Sequence, residues 1–139
     1  MANLSFKFFS SIHVAMYKLS GGRLGTRVLG VSILLLTVKG RKTGKQRTTP
    51  LMYFRDGDNI LLVASKGGHP RHPEWYVNLA ANPDVMVQIG PEKLPMRAST
   101  ASDEEKSRFW PQIVRTYKGY EEYQRKTTRN IPVVILKRR

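Results

Sequence analysis

The apolar positions of the chain change period as the sequence is read. Leu4, Phe8, Ile12 and Met16 recur every four residues, with Phe9 and Leu19 beside them, until Gly21-Gly22 interrupts the pattern. That spacing predicts an amphipathic helix. From residue 32 onward short β-type runs take over. 32-SILLLTVK-39 reads as a buried strand, and 49-TPLMYFR-55 and 60-ILLVASK-66 flank the hairpin signal 56-DGDN-59. Pro73 followed by Glu74 opens a helix over 73–82 that Pro83 stops. Val85, Val87 and Ile89 alternate as a half-buried strand, Gly90-Pro91 turns the chain, and 93–100 is its expected partner, with Pro95 favouring an edge position.

Ser102 with Glu105 forms a capping-box signature at the head of 103–117, a helix that Pro111 is expected to kink or split. A further helical piece at 119–126 and a closing strand at 131–137 complete the chain. About six strands in antiparallel hairpins, with helices hung between them, predict an α+β fold of mainly antiparallel β structure, a small barrel with accessory helices. Strands and helices do not alternate regularly, so a doubly wound sheet is not expected. With 139 residues the chain suits one core. The reading is an N-terminal amphipathic helix and lead-in over 1–30, then the barrel over 31–139.

Charge changes this picture. There are 24 Lys and Arg against 10 Asp and Glu, a formal +14, and no acidic residue precedes Asp56. The first two-fifths of the chain is thus a cationic field, which implies an anionic client: nucleic acid, an acidic membrane face or an acidic small molecule. No cysteine is present, which excludes disulfides, thiolate metal sites and cysteine catalysis and is compatible with a cytoplasmic location. The N-terminus lacks the form of a signal peptide, and no run of eighteen apolar residues occurs. Its Phe-rich apolar face and cationic flanks suit peripheral contact with an anionic membrane, beside the plainer reading of a helix packed on the domain.

Three constellations are rich in chemistry. In 40-GRKTGKQRTTP-50, Arg41, Lys42, Lys45 and Arg47 are interleaved with glycine and threonine, a set that offers close backbone approach, hydroxyls and bidentate grip to an anion. The spacing is not that of a nucleotide P-loop. In 64-ASKGGHPRHPEW-75, Ser65, Lys66, Gly67 and Gly68 again combine hydroxyl, cation and permissive backbone, next to a helix N-terminus. His69 and His72 lack companion ligands, so no metal is expected. Trp75 and Asn78 share a helical face, where Trp75 suits either the core or a ligand slot. Tyr117, Tyr120 and Tyr123 lie three apart, and buried phenols need partners, so they suit a pocket wall as well as a core. No catalytic triad, carboxylate pair or dinucleotide fingerprint appears, so chemistry by side chains alone is poorly supplied and a cofactor is implied.

Taken in order, GRKTGKQRTTPL, DGDNILLVASKGG, PEWYVNLAANPDV, FWPQIVRTYKGYEEYQ and RNIPVVIL resemble the deazaflavin-dependent nitroreductase family, the actinobacterial split-barrel oxidoreductases that use coenzyme F420 and include quinone reductases. The likeness runs from about Leu34 to Leu136. It implies a split β-barrel, related to the FMN-binding split barrels, and a cofactor with a polyanionic phosphodiester–lactyl–oligoglutamate tail. It also implies that Arg41, Lys42, Thr43 and Arg47 hold the phosphate and tail, with Pro50 shaping the loop. Ala64, Ser65, Lys66 and Gly67 would line the deazaflavin, and Trp75 and Asn78 would close the site. Tyr117, Tyr120 and Tyr123 would form the acceptor pocket, with Ser65 and one tyrosine hydrogen-bonding the acceptor oxygen.

The resemblance further implies hydride transfer from the reduced cofactor to a small-molecule acceptor: a quinone, a nitro compound or an α,β-unsaturated carbonyl. Met52 stands where the nitroimidazole-activating member has a tyrosine. An apolar thioether there speaks against nitroimidazole activation and keeps bulky apolar acceptors. The alternatives are an FMN-dependent split-barrel enzyme and a non-catalytic barrel binding nucleic acid or a membrane surface. A nucleic-acid binder should interleave aromatics with cations on its strands. Here the aromatics gather at 75–76 and 109–123 on predicted helices, so no nucleic-acid partner is expected.

Overall fold

A computed structural model of the chain describes residues 27–28 and 31–139. The amphipathic helix expected within 1–30 lies outside the described residues. Among the described residues eight strands are formed: β1 (Arg27–Val28), β2 (Val31–Lys39), β3 (Gln46–Met52), β4 (Phe54–Asp56), β5 (Asn59–Val63), β6 (Asp84–Ile89), β7 (Glu92–Thr100) and β8 (Val133–Arg138). Three α-helices accompany them among the described residues: α1 (Glu74–Ala81), α2 (Asp103–Thr116) and α3 (Gly119–Lys126).

Every strand pairing is antiparallel, in the order β1-β2-β6-β7-β8-β5-β4, with β3 also on β2. β3 therefore belongs to one end of this order and β4 to the other, yet only Tyr53 separates them. One short stretch of chain can serve both ends only if the sheet curls round to bring them together. That is a barrel, split where β3 passes into β4.

The expected strand 49–55 is thus longer and divided, and β1 is additional. Residues 46–52 pair with β2 from Lys39↔Gln46 to Ile33↔Met52. Arg47 and Pro50 consequently lie on a strand and not in the loop: Arg47 faces Val38, and Pro50 faces Leu35 four residues into β3. The alternation of β2 with β3 extends the ladder right up to the turn, which the glycine- and threonine-rich composition had concealed.

Period two explains the packing. Leu34, Leu36 and Val38 of β2 point into the barrel with Ile60 and Leu62, Val85 and Val87, Met96 and Ala98, and Val134 and Leu136. Trp75 and Leu79 of α1 close this core at one end. The alternate residues of β5 and β8, Leu61 and Val63 with Val133 and Ile135, meet Phe109 and Ile113 of α2 and Tyr120 of α3. β5 and β8 are buried on both faces, which is why they read as unbroken apolar runs.

Two prolines depart from expectation. β7 is interior, paired with both β6 and β8, so Pro95 does not mark an edge. Its carbonyl accepts from the Arg139 amide at 3.2 Å, just beyond the last β7–β8 register pair at Met96↔Arg138, where no N–H is needed from it. Pro111 sits inside α2, which is not split. Phe109 and Ile113 pack on either side of it, Tyr117 N–H still bonds Ile113 at 3.0 Å, and Ser107, whose carbonyl Pro111 cannot serve, is an exposed residue. The capping box forms as expected, with Ser102 Oγ accepting from Glu105 N–H at 3.1 Å and Glu105 accepting from Ser102 N–H at 3.0 Å.

Candidate functional site

The turn between β2 and β3 is closed by its own backbone. Gly40 N–H donates to Lys45 at 2.8 Å, Gly44 N–H donates to Gly40 at 2.9 Å, and Gly44 takes φ 72°. Thr43 Oγ1 accepts from Lys45 N–H at 3.2 Å, so this hydroxyl helps to shape the turn. Lys42, Lys45 and Arg47 are exposed, with no carboxylate within ion-pair distance among the described residues.

Arg41 behaves differently. Its Nη1 donates at 2.8 Å both to Glu74 and to Asn78 Oδ1, and its backbone N–H donates to the same Asn78 oxygen at 3.1 Å. The turn is therefore tied to α1. Glu74 is 76% exposed at its side chain, so this ion pair contributes about 1 kcal/mol or less. The hydrogen bond from Arg41 holds the Glu74 carboxyl below the usual carboxylate range.

The segment after β5 is tighter. Ala64 is buried, and its N–H donates to Pro132 at 2.9 Å. Ser65 takes the right-handed helical conformation, and Lys66, Gly67 and Gly68 follow with φ of 46°, 62° and 82°. A left-handed lysine is uncommon and persists only where its surroundings impose it. At Gly68 the cause is contact: a Cβ there would meet Tyr123 O at 2.7 Å, so only glycine lets the turn rest against α3. No carbonyl or side chain among the described residues takes a hydrogen bond from the amides of Ser65, Lys66 or Gly67. The Ser65 hydroxyl likewise makes no hydrogen bond among them, although Ser65 is only 8% exposed. Consecutive uncommitted amides in a right-handed then left-handed arrangement form a concavity suited to an electron-rich oxygen.

The three tyrosine rings meet. Centroids of Tyr117 and Tyr120 lie 5.0 Å apart, those of Tyr120 and Tyr123 6.0 Å, and those of Tyr117 and Tyr123 6.2 Å. Their hydroxyls are not equivalent. Tyr120 is buried, donates to Met52 Sδ at 3.6 Å and packs edge-on to Phe54, and burial pushes its ionisation far above the ordinary phenol. Tyr117 and Tyr123 are half-buried and share a 3.1 Å hydroxyl–hydroxyl bond, which raises the Tyr123 ionisation. Met52 thus belongs to the tyrosine wall.

The structure places Ser65, Lys66 and Gly67 beside the helix carrying Tyr120 and Tyr123, and it joins Arg41 to Asn78. Trp75 is a core residue at 9% exposure, and Pro50 lies in the sheet. Sequence reasoning missed Arg129, whose guanidinium donates to Ala64 O, Ser65 O and His69 O at 3.1, 2.6 and 2.8 Å and lies 3.1 Å from His72 Nδ1. Arg129 opens the RNIPVVIL stretch just ahead of the last apolar strand, and that position alone assigns it no role. No metal-binding group of His, Asp or Glu occurs among the described residues.

Comparison with known proteins decides the family. The model of the F420H(2)-dependent quinone reductase family matches residues 9–138. An F420H(2)-dependent quinone reductase of Mycobacterium tuberculosis is 47% identical over 133 residues, covering 92% of this chain and 89% of the relative. The chain belongs to the F420H(2)-dependent quinone reductase family. A solved F420-H2 dependent reductase is 46% identical and superposes with a TM-score of 0.70, over 76% of this chain and 93% of that one. A second solved chain, described as a domain-swapped dimer, is 42% identical with a TM-score of 0.73 over 91% of this chain and 96% of its own.

Membership makes the protein an oxidoreductase served by reduced coenzyme F420, on a split β-barrel. Its residues fit that group. The family's cofactor carries a long acidic tail, and the exposed Lys42, Lys45 and Arg47 offer cations with no internal acidic partner. The uncommitted amides of Ser65, Lys66 and Gly67 offer donors for the oxygens of a heterocyclic ring. Of the described residues, no helix is long and apolar enough to cross a membrane.

Proposed function

We propose that the protein reduces quinone-like acceptors in a pocket between the Ser65–Gly68 turn and the tyrosine wall, with the deazaflavin ring on the turn and its acidic tail on the β2–β3 turn. When bound, the reduced cofactor supplies a hydride from C5 of its ring. The chain's own part is to orient the acceptor, exclude water and place a donor where charge develops on the acceptor oxygen. The observation that carries this reading is the Ser65 hydroxyl: on a residue only 8% exposed, bonded to nothing among the described residues and so left open on the site's surface, at the edge of three free amides.

Tyr117 and Tyr123 supply the second donor, since among the described residues their hydroxyls bond only one another, whereas the Tyr120 hydroxyl is committed to Met52. Arg41, Lys42, Thr43 and Arg47 serve the tail, Arg41 by exchanging Glu74 for an anionic group of the cofactor. Asn78 orients Arg41, Trp75 supports α1 from the core, and Pro50 fixes β3. Met52 gives the pocket an apolar wall that favours a quinone over a nitroimidazole. The cationic, Phe-rich N-terminal segment suits docking on an anionic membrane, where apolar quinones reside.

The test measures oxidation of reduced F420 with a soluble naphthoquinone, a nitroimidazole and an α,β-unsaturated lactone in parallel. Turnover is expected to be fastest with the quinone, and faster with the nitroimidazole than with the quinone contradicts the reading. Cosedimentation with anionic but not neutral vesicles checks the membrane contact.

A further inference from the structure

We infer that Arg129 is a positioning residue for the cofactor: by gripping the carbonyls of Ala64 and Ser65 it aims the next two amides into the site. The inference rests on the reading that the Ser65–Gly68 turn lines the deazaflavin.

A peptide group is planar and trans, so a carbonyl and the N–H of the following residue point in opposite directions. Nη1 of Arg129 donates to Ala64 O and Nη2 to Ser65 O, which fixes the planes carrying the Ser65 and Lys66 amides. Both amides are thereby turned away from the guanidinium, and neither is used by the fold. Nε donates to His69 O, so the same planar group also pins the far side of the turn. A cation on a carbonyl oxygen draws electron density through the peptide and makes its N–H a stronger donor. Arg129 thus sets both the direction and the strength of two donors it does not share a residue with. A lysine has one centre and cannot reproduce the fork.

Arg129 is itself held. Gln124 of α3 donates Nε2–H to Arg129 O at 2.8 Å and accepts from Ile131 N–H at 3.0 Å, while Lys106 donates to Gln124 Oε1 at 2.9 Å. The helix bearing the tyrosines therefore also carries the support for the opposite wall. Through Gln124 and Arg129, acceptor pocket and ring platform are built as one unit.

The test uses the full chain with Arg129→Lys, Arg129→Ala and Gly67→Val, the last displacing the turn directly because valine is strained at φ 62°. Readouts are thermal unfolding, fluorescence titration with oxidised F420, and amide exchange at Gly68 and His69 in the cofactor-free chain. Those two amides bond Ser65 O and Lys66 O at 3.0 and 3.1 Å and report the turn's shape. Arg129→Lys is expected to keep its melting temperature within a few degrees, to weaken F420 binding at least about tenfold and to speed exchange at both amides. Added guanidinium ion should restore binding to Arg129→Ala.

Unchanged binding in folded Arg129→Lys, with Gly67→Val impaired, overturns the inference alone. Unchanged binding in Gly67→Val overturns the reading that the turn lines the ring. If neither Arg129 variant folds at assay temperature, Arg129 is a requirement of the fold and the positioning role is wrong.

Discussion

Two loops of similar composition, 40-GRKTGK-45 and 65-SKGGH-69, follow strands β2 and β5 of the same barrel and are held in opposite ways. The first is closed by two backbone hydrogen bonds of its own and leaves most of its cations in solvent, with Arg41 turned back onto Glu74 and Asn78. The second is gripped from outside by Arg129, pressed against α3 at Gly68, and forced through three consecutive left-handed residues. Mobile point charges suit a long, flexible polyanion, because strength there depends on charge and little on angle. Fixed amides suit a rigid ring, because hydrogen bonds weaken steeply off axis. The same residue types thus acquire different tasks from what surrounds them.

The comparison can be broken at either loop. The largest effect is expected at the rigid one: Ser65→Ala should lower turnover with a quinone about a hundredfold while F420 affinity and melting temperature stay near wild type, since the hydroxyl supports nothing in the fold. Equal loss of binding and turnover in steady-state kinetics and titration would assign Ser65 to the cofactor alone. Next comes the cationic loop. Lys42→Ala with Arg47→Ala should weaken F420 binding about tenfold at low salt, and the deficit should shrink toward nothing near 1 M salt, where screening removes the term. A deficit independent of salt means that these cations do not hold the tail.

Tyr120→Phe sharpens the tyrosine wall. It removes one buried hydroxyl–sulfur contact, so a stability loss of about 1 kcal/mol or less is expected in denaturant titration, with turnover retained. Tyr123→Phe should instead impair turnover. The smallest effect belongs to Glu74. Glu74→Gln frees Arg41 from competition and should tighten F420 a few-fold, in keeping with an exposed pair of about 1 kcal/mol or less. The sign with pH agrees. Glu74 titrates below its ordinary value of 4.5 when folded, so the stability it lends is present above that value and is lost as pH falls through the lowered one. Glu74→Gln should abolish that acid-side loss in thermal unfolding.

Much of the fold was legible because period two survives wherever one face is buried. β5, β6 and β8 lie close to where their apolar runs place them, and Ser102 with Glu105 marks the head of α2. What escaped was set by partners far along the chain. Pro95 looks like the mark of an edge strand, yet β7 is flanked by β6 and β8 and only the proline's own position lies past the last β8 pair. Pro111 looks like a helix breaker until the packing of Phe109 and Ile113 holds the helix through it. Gln46–Thr48 resembles loop, because its pairing with β2 is not written in its own composition. At the site, cation, glycine and tyrosine clusters were visible as clusters. The distinction between Tyr120 and its neighbours depends on Met52, sixty-eight positions away. Arg129 opens the RNIPVVIL stretch, but its task depends on carbonyls some sixty positions away that the stretch itself does not name.

The central claim is that the two loops divide the cofactor between them, ring on the clamped turn and tail on the cationic one. The most direct measurement is a fluorescence titration of wild type and Lys42→Ala/Arg47→Ala with F420 and with the same deazaflavin lacking its phosphodiester and glutamate tail. The account predicts that the double variant loses affinity for F420 and binds the tailless ring as wild type does. Equal loss for both ligands, or none for either, would contradict it.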